Sequence, residues 1–416
     1  MSLPEQSAQA DHPRDLSPVE PEAVGLSREG LERVDAVLEE LIAADELAGA
    51  LTMVVRHGRT AHVNPMGKKD LATGAPLAAD TIFRIYSMTK PVTAAAMMAL
   101  YDEGRWRPQD PISKHLPELA DLKVLASLDA GGKPVLAAPD HAPTMRELMT
   151  HTAGFSYGFM PEPVDDFYRA AHIWTQGSLD AFVRTVAALP LAYQPGTQWR
   201  YSIAMDIQGA IIERLSGQRL ADFMRTRLFE PLGMVDTGFF VPPEKASRLS
   251  GLYRKSKTRG LAPPDVLPLG VNHSKPPAMA SGGGGLVSTA ADYARFAQML
   301  LDRGTFGGVR ILQPESVDLM SRNQLPPELM AGPWGVGYQQ IRPGFGYGFN
   351  CAVHYDPDAA GVPVGKGTFQ WDGAAGTWFW IDPVNDLVFV GMIQLLSESL
   401  PSLQQKTQRR IAKALV

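Results

Sequence analysis

The order of helical and strand patterns constrains the fold of this chain more than any other sequence feature. Apolar residues recur at helical spacing over 28–47, and two strand-like runs follow directly at 48–55 and 60–63. The chain between about 107 and 280 then carries mainly helix and loop signals. Strand-like runs return in the C-terminal third, at 367–371, 377–381 and 387–394. Strands at both ends predict an α/β (α+β) fold, in which one antiparallel sheet is flanked by helices and an all-helical lobe is inserted.

The same pattern predicts the domain organisation. Residues 27–106 and 281–416 are expected to form one α/β sandwich domain, which a final amphipathic helix over 400–415 completes. Residues 107–280 are expected to form a mainly helical domain, and the polar, proline-bearing residues 1–26 a loosely held leader. A chain of 416 residues is long enough to bury a large core in such an arrangement.

Composition excludes several classes of function. The net charge is −5 and no block of five like charges occurs, so neither a nucleic-acid interface nor a polybasic membrane patch is expected. Cys351 is the only cysteine, which excludes an intrachain disulfide and a thiolate metal cluster. The nine histidines include no H-E-x-x-H pattern, and no metal or other cofactor is predicted. Without a long apolar run or a secretory signal pattern, the chain is predicted to be cytoplasmic and to lack a membrane span.

The strongest chemical signal is the segment Phe83–Pro91, which reads Phe-Arg-Ile-Tyr-Ser-Met-Thr-Lys-Pro. A helix is predicted from near Ser87 to Tyr101, and on it Ser87 and Lys90 share one face, with Cβ atoms roughly 5–6 Å apart. A serine hydroxyl becomes a good nucleophile when an adjacent base takes its proton, and a buried lysine of lowered pKa can be that base. The helix N-terminus also offers the Ser87 N–H to a developing oxyanion. The plainer interpretation makes Ser87 a helix N-cap and Lys90 a solvated side chain.

Two further segments carry candidate site residues. Tyr201 lies just before a helix predicted over 206–216, and a phenol near a lysine can relay protons between nucleophile and leaving group. The segment Trp371-Asp372-Gly373-Ala374 ends a predicted strand, where a glycine lets substrate approach the backbone and the Ala374 N–H can donate to an oxyanion. Taken singly, Tyr201 and Trp371 fit ordinary core packing equally well.

Together these motifs resemble those of the serine β-lactamase and penicillin-binding-protein superfamily. The resemblance covers roughly residues 25–416 and is greatest to the class C β-lactamase-like esterases called family VIII carboxylesterases. It is carried by Ser87-Met-Thr-Lys90, Thr144–Gly154, Tyr201-Ser-Ile203, Ser281–Leu286 and Trp371-Asp-Gly373. The resemblance implies a β-lactamase/transpeptidase-like fold in which Ser87 is the nucleophile and Lys90 and Tyr201 form the base system. By the same resemblance, the third motif lines the strand side of the cleft.

Two departures from β-lactamases bear on the substrate. The resemblance leads us to expect Tyr-x-Asn and Lys-Thr-Gly motifs in a β-lactamase, where the amide and the cation contact the drug. Here Ile203 replaces the amide, and Trp371 replaces the cation and is followed by the acidic Asp372. Loss of such a contact costs on the order of 2–5 kcal/mol. We therefore expect a serine carboxylesterase that hydrolyses short- to medium-chain acyl esters of small molecules, with at most weak β-lactamase activity.

Three other functions fit the same motifs. An acyltransferase would pass the acyl group to an alcohol instead of water, a peptidase or amidase would act on D-amino acids, and a catalytically silent protein would serve as a penicillin-binding-like sensor. The resting base is either neutral Lys90 or ionised Tyr201, and the two are expected to titrate as a coupled unit. The sequence makes no prediction of oligomeric state or of acyl-chain preference.

A second serine motif is interpreted as a coincidence. Residues Gly154–Gly158 match G-x-S-x-G, the nucleophile elbow of α/β-hydrolases, with Ser156 at its centre. That motif needs a strand before it and a helix directly after it, whereas a helical pattern precedes it here and prolines follow. Ser156 is therefore predicted to be a loop residue. His151 is expected to hold loops by hydrogen bonds, and the glycines at 282–285 are expected to allow a tight turn or close backbone packing.

Overall fold

The computed structural model describes residues 14–256, 260–330, 334–336, 339–341, 343–397 and 403–416, and is built around a seven-stranded antiparallel sheet. In chain order its strands are β1 (Gly49–Arg56), β2 (Arg59–Gly67), β3 (Phe345–Tyr347), β4 (Ala352–His354), β5 (Phe369–Asp372), β6 (Trp378–Asp382) and β7 (Leu387–Met392). Across the sheet they follow the order β3-β4-β5-β6-β7-β1-β2. Leu51 of β1 lies opposite Met392 of β7, so strands from both ends of the chain form one sheet, as the sequence predicts.

Helices cover both faces of this sheet, and further helices lie in the segment between its two halves. They are α1 (Arg28–Ala43), α2 (Thr89–Asp102), α3 (Met145–Met149), α4 (Pro163–Ala170), α5 (Leu179–Ala187), α6 (Ala204–Ser216), α7 (Leu220–Met224), α8 (Glu230–Leu232), α9 (Ala290–Leu301), α10 (Pro314–Ser321), α11 (Pro327–Met330), α12 (Pro357–Ala360) and α13 (Leu403–Ala414). The predicted fold class, an antiparallel sheet flanked by helices, is confirmed.

The two faces of the sheet belong to separate cores because side chains alternate along each strand. Met53 of β1 and Val390 of β7 belong to the core that includes α2 and α9. Their neighbours Val54 and Phe389 belong to the core on the opposite face, which includes α1 and α13. Since both faces are covered, every residue of β7 is buried.

Helix α2 is buried along nearly its whole length. All residues from Thr89 to Leu100 are buried, which explains its run of alanines and methionines. One face contacts α6 of the middle segment. At its N-terminal end, the Tyr293 hydroxyl of α9 donates to the Met88 carbonyl at 3.0 Å. The helix that follows the Ser-x-x-Lys motif is therefore held between the sheet domain and the middle segment.

The middle segment contains strands that the sequence analysis missed. A hairpin joins Val124–Leu128 to Pro134–Ala137, and a three-stranded sheet joins Tyr253–Ser256 to Gly260–Ala262 and Leu395–Leu396. Short pairs also link Phe83–Arg84 with Val287–Ser288, Thr305–Phe306 with Val309–Arg310, and Trp334–Val336 with Gln339–Ile341. These strands were missed because they are short. The two strands of the 124–137 hairpin are also largely exposed, so they show no strong alternation of apolar and polar residues.

Most other boundaries agree with the sequence to within a few residues. Helix α9 is capped by Thr289, whose hydroxyl accepts from the Asp292 N–H. The start of the predicted C-terminal helix, 400–402, lies outside the described residues. The domain boundaries stay a prediction.

The predicted leader is held more firmly than expected where it is described. Its first part, residues 1–13, lies outside the described residues. Arg14 forms ion pairs with Asp302, in the turn after α9, and with Asp386, in the turn between β6 and β7. The expectation of a loose segment is therefore wrong from Arg14 onward, because these ion pairs act together with the buried side chains of Val24 and Leu26. Among the described residues, no helix combines the length and apolar character needed to cross a membrane.

Candidate active site

Ser87 lies in a single 3₁₀ turn, Tyr86–Met88, which leads directly into α2. Tyr86 has a φ of 40°, a left-handed conformation that is unfavourable for a bulky residue and is often found beside functional groups. Lys90 occupies the first turn of α2, and its Nζ lies 3.1 Å from the Ser87 Oγ. The serine is half-buried, whereas Lys90 is 1% exposed. The predicted placement of these two side chains on one helical face is therefore present.

The Lys90 amine is held by a carbonyl instead of a carboxylate. Its Nζ donates to the Gly283 carbonyl at 2.6 Å and lies 4.5 Å from the centre of the Tyr201 ring. Burial lowers the pKa of the Lys90 amine to about 7, although the nearby Asp206 and Asp372 carboxyls act in the opposite direction. Near neutral pH a substantial fraction of Lys90 is therefore the neutral amine, which can accept a proton.

Tyr201 completes this group of three side chains. Its hydroxyl donates to the Ser87 Oγ at 2.7 Å, across 114 positions of sequence. The loop that carries it is held by the Arg200 N–H, which donates to the His151 carbonyl at 2.9 Å, and α6 begins three residues further on. Burial raises the pKa of the Tyr201 phenol above its ordinary value. The phenol is therefore protonated in the resting site and poised as a proton donor.

His151 supports the Tyr201 loop, as the sequence analysis expects. Its Nδ1 lies 2.9 Å from the Ser202 hydroxyl and accepts from the Ser202 N–H at 3.2 Å, which leaves the proton of the neutral ring on Nε2. The His151 ring lies 5.0 Å from the Tyr201 ring. Burial and the charge of Lys90 hold the pKa of His151 well below its usual range. His151 is therefore neutral, and in this form it positions Tyr201.

The G-x-S-x-G segment is not a nucleophile elbow. Helix α3 precedes it, and Ser156 is 1% exposed, with its hydroxyl donating to Asp165 Oδ1 at 2.7 Å and accepting from Arg200 Nε at 3.0 Å. Arg200 also forms an ion pair with Asp165. The prediction of a loop residue is confirmed. No local sequence pattern indicates that Ser156 also helps to hold Arg200, the residue next to Tyr201.

The third motif lies directly beside the serine turn. Strand β5 ends at Asp372, and Gly373 packs so closely on the Ile85 carbonyl that a Cβ there would lie 2.3 Å from its oxygen. Only glycine fits this approach. Ala374, the next residue, is exposed, and no carbonyl among the described residues accepts its N–H. The end of β5 and the Ser87 turn therefore border the same cleft.

Trp371 and Asp372 give this border its chemical character. The Trp371 ring is 5% exposed and lies 5.8 Å from the Tyr201 ring, so it contributes an apolar wall. Burial raises the pKa of the partly buried Asp372 carboxyl to about 7, against the opposing effect of Lys90. Near neutral pH this position therefore carries less negative charge than an ordinary aspartate.

Asp206 and Gly283 are site residues that the sequence analysis missed. Asp206 Oδ1 accepts from the Ser281 hydroxyl at 2.6 Å and from the Gly283 N–H at 3.1 Å. The carbonyl of the same glycine holds Lys90, so a single residue, Gly283, links the carboxylate to the amine. A Cβ at position 283 would lie 2.7 Å from both Asp206 Oδ2 and the Tyr157 hydroxyl oxygen. The expected close backbone packing in the glycine run is confirmed.

The arrangement is suited to nucleophilic chemistry at a carbonyl. A hydroxyl is contacted by a buried amine of lowered pKa and by a protonated phenol, and the nearby Ala374 N–H has no hydrogen-bond acceptor among the described residues. Among the described residues, no group of three or more histidine, cysteine, aspartate or glutamate side chains could hold a metal ion. Cys351 is buried away from solvent, and burial raises the pKa of its thiol.

Comparison with known proteins gives one consistent family. The beta-lactamase family model matches residues 34–413. Esterase EstB of Burkholderia gladioli is 32% identical over 369 residues, which cover 83% of this chain and 86% of EstB. An uncharacterized Mycobacterium tuberculosis protein is 40% identical, over 86% of this chain and 88% of its own length.

A solved structure agrees with these sequence matches. The structure of EstCE1, described as a hydrolase with promiscuous acyltransferase activity, superposes with a TM-score of 0.76 and is 26% identical. The match covers 93% of this chain and 98% of EstCE1. The family model and EstB each match most of the chain, and the range of the family model includes all three candidate motifs, which confirms the resemblance noted in the sequence. This chain belongs to the beta-lactamase family.

Proposed function

We propose that this protein is a serine esterase in which the Ser87 Oγ attacks the carbonyl carbon of a carboxylic ester. One observation carries the proposal: the Ser87 Oγ lies within hydrogen-bonding distance of both the Lys90 Nζ and the Tyr201 hydroxyl. EstB, a relative that is named as an esterase and is 32% identical, supports this activity. A cytoplasmic location stays a prediction from the sequence.

In the acylation step, neutral Lys90 accepts the proton of Ser87 while the oxygen attacks. The resulting oxyanion accepts hydrogen bonds from the backbone N–H groups of Ser87 and Ala374. When the carbonyl re-forms, the bond to the alcohol oxygen breaks, and that oxygen takes the proton of the Tyr201 hydroxyl. The Lys90 ammonium, 4.5 Å from the centre of the Tyr201 ring, then returns a proton to the phenolate. Lys90 is favoured as the resting base because the pKa shifts of the two groups have opposite signs.

Deacylation uses the same groups in the same roles. A water molecule gives a proton to neutral Lys90 and attacks the acyl carbonyl, and the Ser87 oxygen leaves with the proton of the Tyr201 hydroxyl, which the Lys90 ammonium then restores. If an alcohol replaces the water, the same steps transfer the acyl group to that alcohol. This second outcome is a candidate function because EstCE1, a hydrolase of the same fold, is described as a promiscuous acyltransferase.

The walls of the cleft favour esters over β-lactams. Trp371 supplies an apolar surface at the third motif, and Ile203 is fully buried in the core, so its side chain offers nothing to an acylamino group. Penicillins and cephalosporins carry a carboxylate that needs a cation or a strong donor, and burying it without a partner is costly. A neutral ester avoids this cost.

A substrate panel tests the proposed function. We expect kcat/KM for p-nitrophenyl butyrate to exceed that for nitrocefin by at least about 30-fold, because a missing charge-assisted contact costs on the order of 2–5 kcal/mol. A D-alanyl peptide should react more slowly than the ester for the same reason. Product analysis with added alcohol separates hydrolysis from acyl transfer. Turnover of nitrocefin or of the peptide at the rate of the ester would contradict the esterase proposal.

Asp206 is expected to set the pH range over which Lys90 is neutral. Its negative charge favours the ammonium form and thus raises the pKa of Lys90, so Asp206→Asn should lower that pKa. The acid limb of kcat/KM, which rises as Lys90 loses its proton, should then move to lower pH. Asparagine retains an oxygen that can accept from Ser281 and Gly283. The measurement is kcat/KM between pH 5 and 9.

A control variant tests whether loss of a buried carboxylate elsewhere in the protein has the same effect on the pH profile. Asp35 is also buried, and it accepts from Thr52 and Asn64 on the opposite side of β1. Asp35→Asn should leave the midpoint of the acid limb in place. An unmoved midpoint in Asp206→Asn would show that its carboxylate does not tune the base.

A further inference from the structure

Two exposed apolar side chains lie close to the proposed active site. Phe159 is 59% exposed and Met160 is 40% exposed, in the loop between α3 and α4. Large apolar side chains that are adjacent to each other and to a site, instead of scattered singly, commonly mark a binding surface.

A continuous series of aromatic rings joins Phe159 to the reacting groups. The Phe159 ring stacks on the Tyr157 ring at 4.5 Å with an interplanar angle of 4°. Tyr157 lies 5.1 Å from the Tyr201 ring and 5.4 Å from the Trp174 ring. The Lys90 Nζ is 5.3 Å from the centre of the Tyr157 ring. We call these four residues, Tyr157, Phe159, Trp174 and Tyr201, the aromatic wall.

The protein holds Phe159 in this exposed position. Arg169 of α4 donates through one nitrogen to the Gly158 carbonyl at 2.7 Å and to the Met160 carbonyl at 2.9 Å, on either side of Phe159. Gly158 has a φ of 83°, which favours glycine. Because the backbone on both sides is fixed, the ring has a defined place at the edge of the cleft.

The position of Tyr201 determines which half of an ester reaches the wall. The group that protonates the leaving alcohol must lie on the side from which the alcohol departs. In the proposed function this group is the Tyr201 hydroxyl, and the Tyr201 ring is itself part of the aromatic wall. The leaving alcohol is therefore directed toward Tyr157 and Phe159, while the acyl group lies on the other side of the carbonyl.

We propose that the aromatic wall binds a large, apolar and preferably aromatic alcohol portion of the ester substrate. The proposal rests on the esterase function and specifies its substrate class. Flat groups gain both apolar burial and ring contacts on such a wall, whereas a two-carbon alcohol is too short to reach Phe159. The acyl group, in contrast, is not selected by these four residues.

The test compares esters that share a small acyl group and differ in the alcohol. For 2-naphthylmethyl acetate and ethyl acetate, both leaving groups are poor alkoxides, so chemical reactivity differs little. We expect Phe159→Ala to lower the ratio of kcat/KM for 2-naphthylmethyl acetate to kcat/KM for ethyl acetate by about 5- to 20-fold. Phe159→Trp, which keeps a large ring, should retain the ratio. A change of less than about twofold in Phe159→Ala would overturn the proposal.

Two further comparisons make the result specific. Val384→Ala removes apolar surface from a side chain that is 57% exposed in the turn between β6 and β7, at the end of β6 away from Gly373, and should leave the ratio unchanged. Ethyl 2-naphthylacetate carries the ring in the acyl group. If Phe159→Ala lowers its kcat/KM relative to ethyl acetate as strongly, the assignment to the alcohol is overturned.

Failure of this proposal and failure of the esterase function give different results. If Ser87→Ala removes all turnover but Phe159→Ala leaves the ratio intact, the alcohol-binding role of the wall is wrong and the esterase function stands. If the wild type turns over neither acetate, the esterase function itself is wrong, and if Ser87→Ala retains full activity, the assignment of Ser87 as the nucleophile is wrong.

Discussion

Replacement of Ser87 with alanine is expected to lower kcat/KM for p-nitrophenyl butyrate by about 10⁴-fold or more. The variant loses the nucleophile itself, and the amine and phenol that remain cannot form the acyl-enzyme. A loss of this size corresponds to about 5.4 kcal/mol of transition-state stabilisation. The half-buried serine makes few packing contacts, so the variant should fold normally. Steady-state kinetics measure the loss, and intact-protein mass spectrometry with a slowly deacylated ester should detect an adduct in the wild type alone.

Ser156→Ala is the matched control, because the chain offers a second serine in a recognised nucleophile motif. This variant removes hydrogen bonds to Asp165 and Arg200, and we expect it to lose roughly 1–3 kcal/mol of unfolding free energy while it still forms the acyl-enzyme. Activity should fall less than about tenfold, through a looser Tyr201 loop. If the adduct disappeared in Ser156→Ala and persisted in Ser87→Ala, the two serines would have to exchange roles.

Replacement of Lys90 with methionine is expected to lower kcat/KM by about 10²- to 10⁴-fold, the usual contribution of a positioned general base. Methionine is an unbranched side chain that fills much of the buried space of lysine, although it leaves the Gly283 carbonyl without its donor. In the wild type, kcat/KM should fall as the pH drops below about 7, because protonated Lys90 cannot accept the serine proton. In Lys90→Met the dependence on that group should vanish, and a full pH profile measures it.

The pH profile is needed because Asp372 is expected to titrate in the same range. An acid limb that persists unchanged in Lys90→Met would assign the titration to Asp372 or to another group, and would contradict the role of Lys90 as base. Lys114→Met removes an exposed lysine that pairs with Asp110 at the surface, and it should leave both the rate and the profile unaltered.

Local patterns were sufficient for the main elements of the fold and for part of the site. Apolar residues at helical spacing after Ser27, whose hydroxyl caps α1, predicted that helix. The strands at both ends of the chain could be predicted because they are buried and end at turns. The short strand from Val124 to Leu128 was not visible, because its pairing with Pro134–Ala137 leaves most of its side chains in solvent. A strand shows a clear pattern of apolar residues in the sequence when its side chains are buried. Most side chains of this hairpin are exposed, so its sequence shows no such pattern.

Asp206 illustrates the corresponding limit for the site. In the sequence it is one aspartate at the start of a helix, where such residues are common for electrostatic reasons alone. Its importance depends on the glycine turn at 281–285, which approaches from a distant part of the chain and places the backbone of Gly283 between Asp206 and Lys90. No periodicity in either segment encodes that approach.

The sequence by itself determined the local geometry of Ser87 and Lys90, because three residues of helix always bring two side chains to one face. It also determined the family, through the order and spacing of three short motifs. Only the tertiary structure decided that the Tyr201 hydroxyl lies 2.7 Å from the Ser87 Oγ. It also decided that the Ser156 hydroxyl is hydrogen-bonded to Asp165 and Arg200. The physical reason is that contacts between distant segments depend on how α2, α6 and the loops around them pack together, which is a property of the whole core and not of any single segment.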